Sequence, residues 1–366
     1  MDIMKYFPFP KKIVQKIEKS SYVIAVMETL AQIFEFSNYF TSKIIPKKDK
    51  EICGDFKEYM ENLWEDNGVT FTPTDFMIKL KKISNKTFSF KEELEPYLYY
   101  NFILEELNHE LNNFEPEINE YFSNFCQKYK DFGDLKIYSD KFIKENNSIV
   151  SKTFYGIMKI KKYCDLCGKD EEIEYAHFNI IDIDIYEFCN NMHQEGNSLT
   201  NFYLDDCIEN FFDDKQKTKG LYNCTNCEKR VQKKIQRKIV ELPDYLIFRI
   251  NWGEFREFEG YKCKLDYIKP SYQYLDVNEI IEINEDYLND IAFNRDKPIG
   301  NSSVKFKLFS TIDYFKDENI FICKYRIKEE GKQNLWYNIW SNGIGIQKSI
   351  YIDRFTTPCL LFYEKN

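Results

Sequence analysis

Two Cys-x-x-Cys pairs, Cys164-Asp165-Leu166-Cys167 and Cys224-Thr225-Asn226-Cys227, lie 56 residues apart and constrain the fold more than any other feature of the chain. Each pair turns tightly enough to bring two thiolates to one ion. Two such knuckles complete a closed tetrahedral zinc site with no position open to water. The predicted site is therefore structural and not catalytic. Tyr163 and Tyr222 stand just ahead of the knuckles, and Gly168 follows the first, where a tight turn suits glycine. The competing reading makes one pair a redox couple, or makes the cysteines simple packing residues.

Eleven cysteines, an odd number, follow an N-terminus, MDIMKYFPFPKKIVQK, that lacks the apolar core of a signal peptide. They read as reduced thiols and metal ligands, not as a disulfide framework. Cys53, Cys126, Cys189, Cys207, Cys263, Cys323 and Cys359 stand mostly in apolar contexts, where core packing is the default. No apolar run reaches the roughly 18 to 20 residues needed to cross a bilayer, so a soluble, non-membrane protein of cytosol or nucleus is expected. With 366 residues, 43% hydrophobic and 17% aromatic, the chain has ample apolar surface for a core. A formal charge of -9 argues against phosphate binding as the main activity, which needs a basic face.

Residues 1–150 read as mostly helical. Val23, Val26, Met27, Leu30 and Ile33 recur at three- and four-residue steps, one buried helix face, with Ser20 or Ser21 as its N-cap. A second helix is expected from about Tyr97 to Leu111, with Pro96 in its first turn. Leu98, Ile103, Leu104, Leu107 and Leu111 form its apolar stripe, and Glu105, Glu106 and Glu110 its solvated face. From about Phe154 onward, branched and aromatic runs such as TFYGIMKIKKY, DYLIFRINW, KFKLFSTIDYF and NIFICKYRI predict strands, interrupted by a helix over Thr200 to Phe212. The fold class is α+β: a helical region over 1–150, a zinc-bearing β region with adjoining strands over 151–250, and a β-rich, mostly antiparallel region over 251–366.

The order of these features resembles the ubiquitin-specific protease family. The similarity is carried by Tyr22-Val23-Ile24-Ala25-Val26-Met27 with Tyr39-Phe40, by Tyr99 to Leu107, and by Phe154-Tyr155-Gly156 leading into the first knuckle. It continues through Ser198-Leu199, the run Leu242 to Phe248, Trp336-Tyr337 and the terminal Leu360-Leu361-Phe362-Tyr363. The resemblance implies a single papain-like cysteine-peptidase hand over 1–366, with helical thumb, zinc-ribbon fingers and β-rich palm. It also implies a cysteine nucleophile, a histidine base and an orienting Asp or Asn. The matching positions hold none of these. Ser21 stands for the cysteine, Ile320 for the histidine after Asn319 for glycine, Trp340 or Ser341 for the carboxylate, and Lys19 for the oxyanion-stabilising Asn. The three histidines, His109, His177 and His193, all precede the region where the base belongs. Glu95 matches an acidic residue ahead of the thumb helix, and a first-turn acid favoured by the helix dipole explains it equally well.

The expected function is that of a catalytically inactive homologue acting through ubiquitin or a multiprotein complex. The enzyme alternative is an active deubiquitinase with rearranged residues, for instance a nucleophile at Cys53 or Cys126. A third reading, a zinc-ribbon adaptor for nucleic acid, predicts a basic face from Lys159, Lys161, Lys162, Lys229, Arg230, Lys233, Lys234, Arg237 and Lys238. Solvated strand edges explain the same lysines, and direct nucleic-acid binding is not the expectation.

Overall fold

The computed structural model describes residues 13–14, 19–48, 51–65, 70–84, 93–112, 127–169, 171–185, 188, 201–213, 216–218, 220–252, 255–258, 261–265, 274–294, 297–299, 303–315, 317–327, 335–340, 343–347 and 356–366. His193, Ser198, Leu199, Ser341, Cys126 and Cys189 lie outside the described residues. The helical half contributes α1 (Ser21–Ala31), α2 (Phe34–Ser42), α3 (Cys53–Trp64), α4 (Thr74–Ile83), α5 (Pro96–Leu111), α6 (Asp134–Asn146) and α7 (Ile149–Phe154). Helix α1 is buried on every side, including Glu28 and Thr29. The apolar stripe understates this burial because α1 runs between α5 and the main sheet. Its N-cap residue, Ser20, makes no side-chain cap hydrogen bond, contrary to the capping role expected of it.

Three strands leave the helical half: β1 (Gly156–Cys164), β2 (Glu172–Phe178) and β3 (Ile181–Asp184). Helix α8 (Leu204–Phe212) follows, shorter than the Thr200 to Phe212 expectation because Asn201–Tyr203 is a strand. Next come β4 (Lys233–Glu241), β5 (Tyr245–Asn251), β6 (Ile280–Ile283), β7 (Leu288–Asn294) and β8 (Lys297–Pro298). The chain closes with β9 (Val304–Phe315), β10 (Ile320–Ile327), β11 (Leu335–Trp340), β12 (Gly343–Gln347) and β13 (Thr356–Lys365).

Two larger sheets result. The ribbon sheet runs β8-β7-β4-β1-β2, and the main sheet runs β12-β11-β10-β9-β13-β5-β3, with β6 also paired to β9. The main sheet is antiparallel except where β3 joins β5 in parallel. Gly156 opens β1 where three strands converge, and a Cβ there would stand 2.6 Å from the Glu241 carbonyl oxygen and the Phe178 ring. Only glycine permits that approach.

The main sheet is covered on both faces. Along β13, Leu360 and Phe362 join the core that contains α1, α5 and α7, whereas Leu361 and Tyr363 join a second core with Leu204, Ile208 and Ile239. The alternation is the period of two that a strand imposes. No helix among the described residues is long and apolar enough to cross a membrane.

Candidate functional site

The two Cys-x-x-Cys turns meet at the tip of the ribbon sheet. The first leaves the end of β1, and the second follows the short strand Tyr222–Asn223, which pairs with Arg230–Val231. Their backbones are near copies. The Cys164 N–H donates to the Lys169 carbonyl and the Gly168 N–H to the Cys164 carbonyl, each at 2.9 Å. In the second turn the Cys224 N–H donates to Lys229 at 3.0 Å and the Glu228 N–H to Cys224 at 2.9 Å. The residue after the second cysteine is left-handed in both, Gly168 at φ 66 and Glu228 at φ 57. Glycine adopts this freely, and glutamate at a cost of about 1 kcal/mol.

All four sulfurs lie within 4.8 Å of one another. Cys164 and Cys227 are 3.8 Å apart and Cys167 and Cys224 3.6 Å, with no disulfide among them. Zn–S bonds of about 2.3 Å give tetrahedral S···S edges of about 3.8 Å. The four cysteines therefore fit a tetrahedral metal ion, and the sequence reading of these residues as one cluster holds.

The second site is the N-terminus of α1. The first N–H groups of a helix have no partner within it and carry its positive dipole end, so this position suits an anion. Glu93 fills it. Its carboxylate accepts from the Ser21 N–H at 3.3 Å, the Tyr22 N–H at 3.4 Å and the Ser21 hydroxyl at 2.7 Å. The Ser21 oxygen in turn accepts from the Phe321 N–H at 2.8 Å, so it joins α1 to the start of β10. Serine 21 and Glu93 are both buried. Burial, then the charge of Glu93, push the Tyr22 phenol well above its ordinary pKa.

The remaining positions singled out in the sequence fall nearby in part. Ile320 begins β10, next to Phe321, and is buried. Asn319 before it has φ 51, a left-handed conformation that asparagine tolerates, and its side-chain oxygen accepts from the Tyr314 hydroxyl at 2.7 Å. Lys19, two residues before Ser21, is also left-handed at φ 55. Trp340 ends β11, whose register sets Ile339 opposite Cys323 and so brings Trp340 toward the same end of the sheet as Ile320. Of the histidines, His177 lies on β2, stacked on Tyr155 with its Nδ1 3.1 Å from the Tyr138 hydroxyl, and His109 is in the last turn of α5. Neither hydrogen-bonds Ser21.

A family model described as ubiquitin carboxyl-terminal hydrolase matches residues 15–363. The chain belongs to this family. Three solved structures share its fold. A yeast SAGA DUB module with an Sgf73 mutant aligns at TM-score 0.62 and 14% identity over 98% of this chain and 69% of that one. The SAGA Ubp8/Sgf11/Sus1/Sgf73 DUB module bound to ubiquitin aldehyde gives 0.61 and 15%, over 98% and 70%. A related SAGA module lacking the Sgf11 zinc finger gives 0.60 and 15%, over 96% and 68%. No curated protein sequence matches the chain. The fold is the papain-like α+β hand of that family.

Within that hand, three acids hold places that the sequence did not reveal. Glu93 gave no signal at all, since an acid ahead of Pro96 describes Glu95 as well. Glu95 forms a two-pronged pair with Arg249, at 2.7 and 3.1 Å, and Arg249 continues to Asp182 at 2.7 Å, tying the start of α5 to β5 and β3. As the N-cap residue of α5 it makes no side-chain cap hydrogen bond, and its carboxylate is held by this ion pair. Glu110 is not on a solvated face: it accepts from the N–H groups of Ile52 and Cys53 at 2.7 and 2.8 Å and caps α3.

Proposed function

We propose that the chain is a catalytically inactive ubiquitin-specific protease homologue that works by binding. Its partner is ubiquitin or a multiprotein assembly, in the cytosol or nucleus, and a zinc ion held by Cys164, Cys167, Cys224 and Cys227 keeps the fingers folded. The hand acts as one unit over 1–366, with the helical thumb over 1–150, the zinc-ribbon fingers and adjoining palm strands over 151–250, and the β-rich palm over 251–366.

One observation carries the reading: Glu93 occupies the end of α1 where a nucleophile would have to become an anion. A thiolate or alkoxide at residue 21 would face a carboxylate 2.7 Å away, and close like charges disfavour ionisation. The Ser21 oxygen also has its donor and acceptor roles taken, by Glu93 and by the Phe321 N–H. Ile320, an alkyl side chain, stands where proton transfer would need an imidazole. The architecture of DUB modules built around a similar fold, one of them bound to ubiquitin aldehyde, supports ubiquitin or a complex as partner.

The enzyme alternative has one feature in its favour, the short Ser21–Glu93 contact, which is a serine beside a carboxylate base. Reaction with ubiquitin bearing a C-terminal electrophile, on the unaltered chain and on Ser21→Cys, separates the two readings. The proposal expects no adduct on either. An adduct on the unaltered chain would establish an active deubiquitinase. Calorimetric titration with ubiquitin then distinguishes a ubiquitin reader from a scaffold for other partners.

A further inference from the structure

The fingers carry a charge pattern that neither the metal centre nor the α1 site uses. Strands β1 and β4 pair so that Lys159 stands opposite Lys238, Lys161 opposite Gln236 and Tyr163 opposite Lys234. Strand β2 adds Tyr175 beside Lys159 and Ile173 beside Lys161. Lys217 pairs across from Lys234 on the other flank. Residues directly opposite each other project from one face of a sheet. One face of the fingers therefore gathers Lys159, Lys161, Lys217, Lys234 and Lys238.

The opposite face is internally matched. Lys162 pairs with Glu174 at 2.9 Å, Lys233 with Glu172, and Arg237 with Gln216 and the Phe211 carbonyl. On the lysine face only Lys161 and Lys217 meet carboxylates, Glu171 at 2.8 Å and Asp165 at 2.7 Å. Among the described residues Lys159, Lys234 and Lys238 have no carboxylate partner; the Lys238 ammonium reaches only the Asp286 carbonyl. Lysines directly across a strand pair repel. Lys159 and Lys238 do so on a chain with a formal charge of -9, where acids to neutralise them are plentiful.

We propose that this face docks a short, extended, acidic segment of a partner protein. The inference does not depend on ubiquitin binding. Lys159 and Lys161 are two residues apart on one strand, a spacing of about 6.6 Å, which is also the repeat of alternate side chains in an extended peptide. A ligand with an acid at every second residue turns all of its acids to one side, toward the lysines, and its intervening side chains away from them. The two lysines already satisfied show that the surface pairs with carboxylates.

Single-stranded nucleic acid fits less well. Its recognition uses open aromatic platforms and arginine. Here Lys161 sits over the Tyr163 ring at 5.6 Å, the Tyr175 ring packs against Tyr138 at 6.3 Å, and the nearest arginine on these strands, Arg237, belongs to the opposite face.

The test is fluorescence anisotropy on the full chain with a labelled octapeptide alternating Glu and Val. Binding that salt weakens, that falls roughly tenfold in the combined Lys159→Gln, Lys234→Gln and Lys238→Gln variant, and that Lys162→Gln leaves unchanged is the expected result. Should the combined variant not fold, Lys159→Gln and Lys234→Gln singly must each weaken binding about two- to threefold. Absence of peptide binding, equal loss in Lys162→Gln, or tighter binding of a length-matched single-stranded RNA than of the peptide would overturn the proposal.

Discussion

The knuckles and the N-terminus of α1 are both places where the backbone aims groups at a charged guest, and they treat the guest in opposite ways. At the knuckles four sulfurs converge within 4.8 Å, a set of donors for a cation from outside the chain. At α1 the helix end is aimed at an anion and the chain supplies that anion itself, as Glu93. A site built for an outside partner leaves its charges unmatched until the partner arrives. A site whose donors and acceptors are matched from within has become part of the structure. On the proposed reading, the two ends of this hand contrast a site kept for an outside partner with one matched from within.

The largest effect should come from the metal side. Chelation, or Cys224→Ser, should unfold the fingers, since structural zinc contributes on the order of 10 kcal/mol in small zinc domains. Limited proteolysis should then cut within 160–235 while the helical half stays protected. Uniform proteolysis, or no change on chelation, would break the contrast by showing that the sulfurs merely pack.

A second prediction concerns Glu28, two turns beyond Ser21 on α1. It is fully buried without a hydrogen-bond partner among the described residues, and burial pushes its carboxyl up to about 8 from an ordinary 4.5. Between those values the folded state holds a proton that the unfolded chain releases. Stability is therefore greatest below the unfolded pKa and declines as pH rises toward 8, at about 1.4 kcal/mol per pH unit. The accumulated cost at pH 7 is about 3 kcal/mol. Urea unfolding from pH 5 to 8 should show this slope in the parent, and Glu28→Gln should flatten it. An unchanged slope in the variant would assign the pH dependence elsewhere.

Removing Glu93 comes next. Glu93→Ala strips partners from two buried N–H groups and the Ser21 hydroxyl, and a loss of about 2 kcal/mol is expected in chemical denaturation. If the variant were as stable as the parent, Glu93 would not be a structural cap. The smallest effect sharpens the metal side: Glu228→Gly relieves a left-handed glutamate and should raise the fingers' stability by up to about 1 kcal/mol, whereas Gly168→Ala should lower it by a similar amount.

Much of the fold was legible because it is written locally. The knuckle spacing, Gly168 at its turn, Pro96 opening α5 and the strands from Phe154 onward all follow from neighbouring residues. The arrangement at α1 was only half legible. Ser21, Ile320 and Asn319 could be read against a family pattern, but Glu93 lies 72 residues from Ser21 and reaches it only through packing. The same holds for Glu110, which meets Cys53 from 57 residues away. Solvent-facing and buried acids look alike in sequence, and Glu28 shows how far apart their environments can be. The sheet register that gathers the lysines is likewise a tertiary fact, although their clustering along β1 and β4 was visible.

The central claim, that the end of α1 is closed to an anionic nucleophile, is tested most directly by the thiol pKa of Ser21→Cys. Iodoacetamide labelling of residue 21 would be followed against pH by peptide mass spectrometry, with and without Glu93→Gln. The account predicts a pKa above the ordinary value of about 8.5 in Ser21→Cys, falling when Glu93 is neutralised. A pKa well below 8.5 with Glu93 intact would mean that the helix end still activates a nucleophile, and would contradict the account.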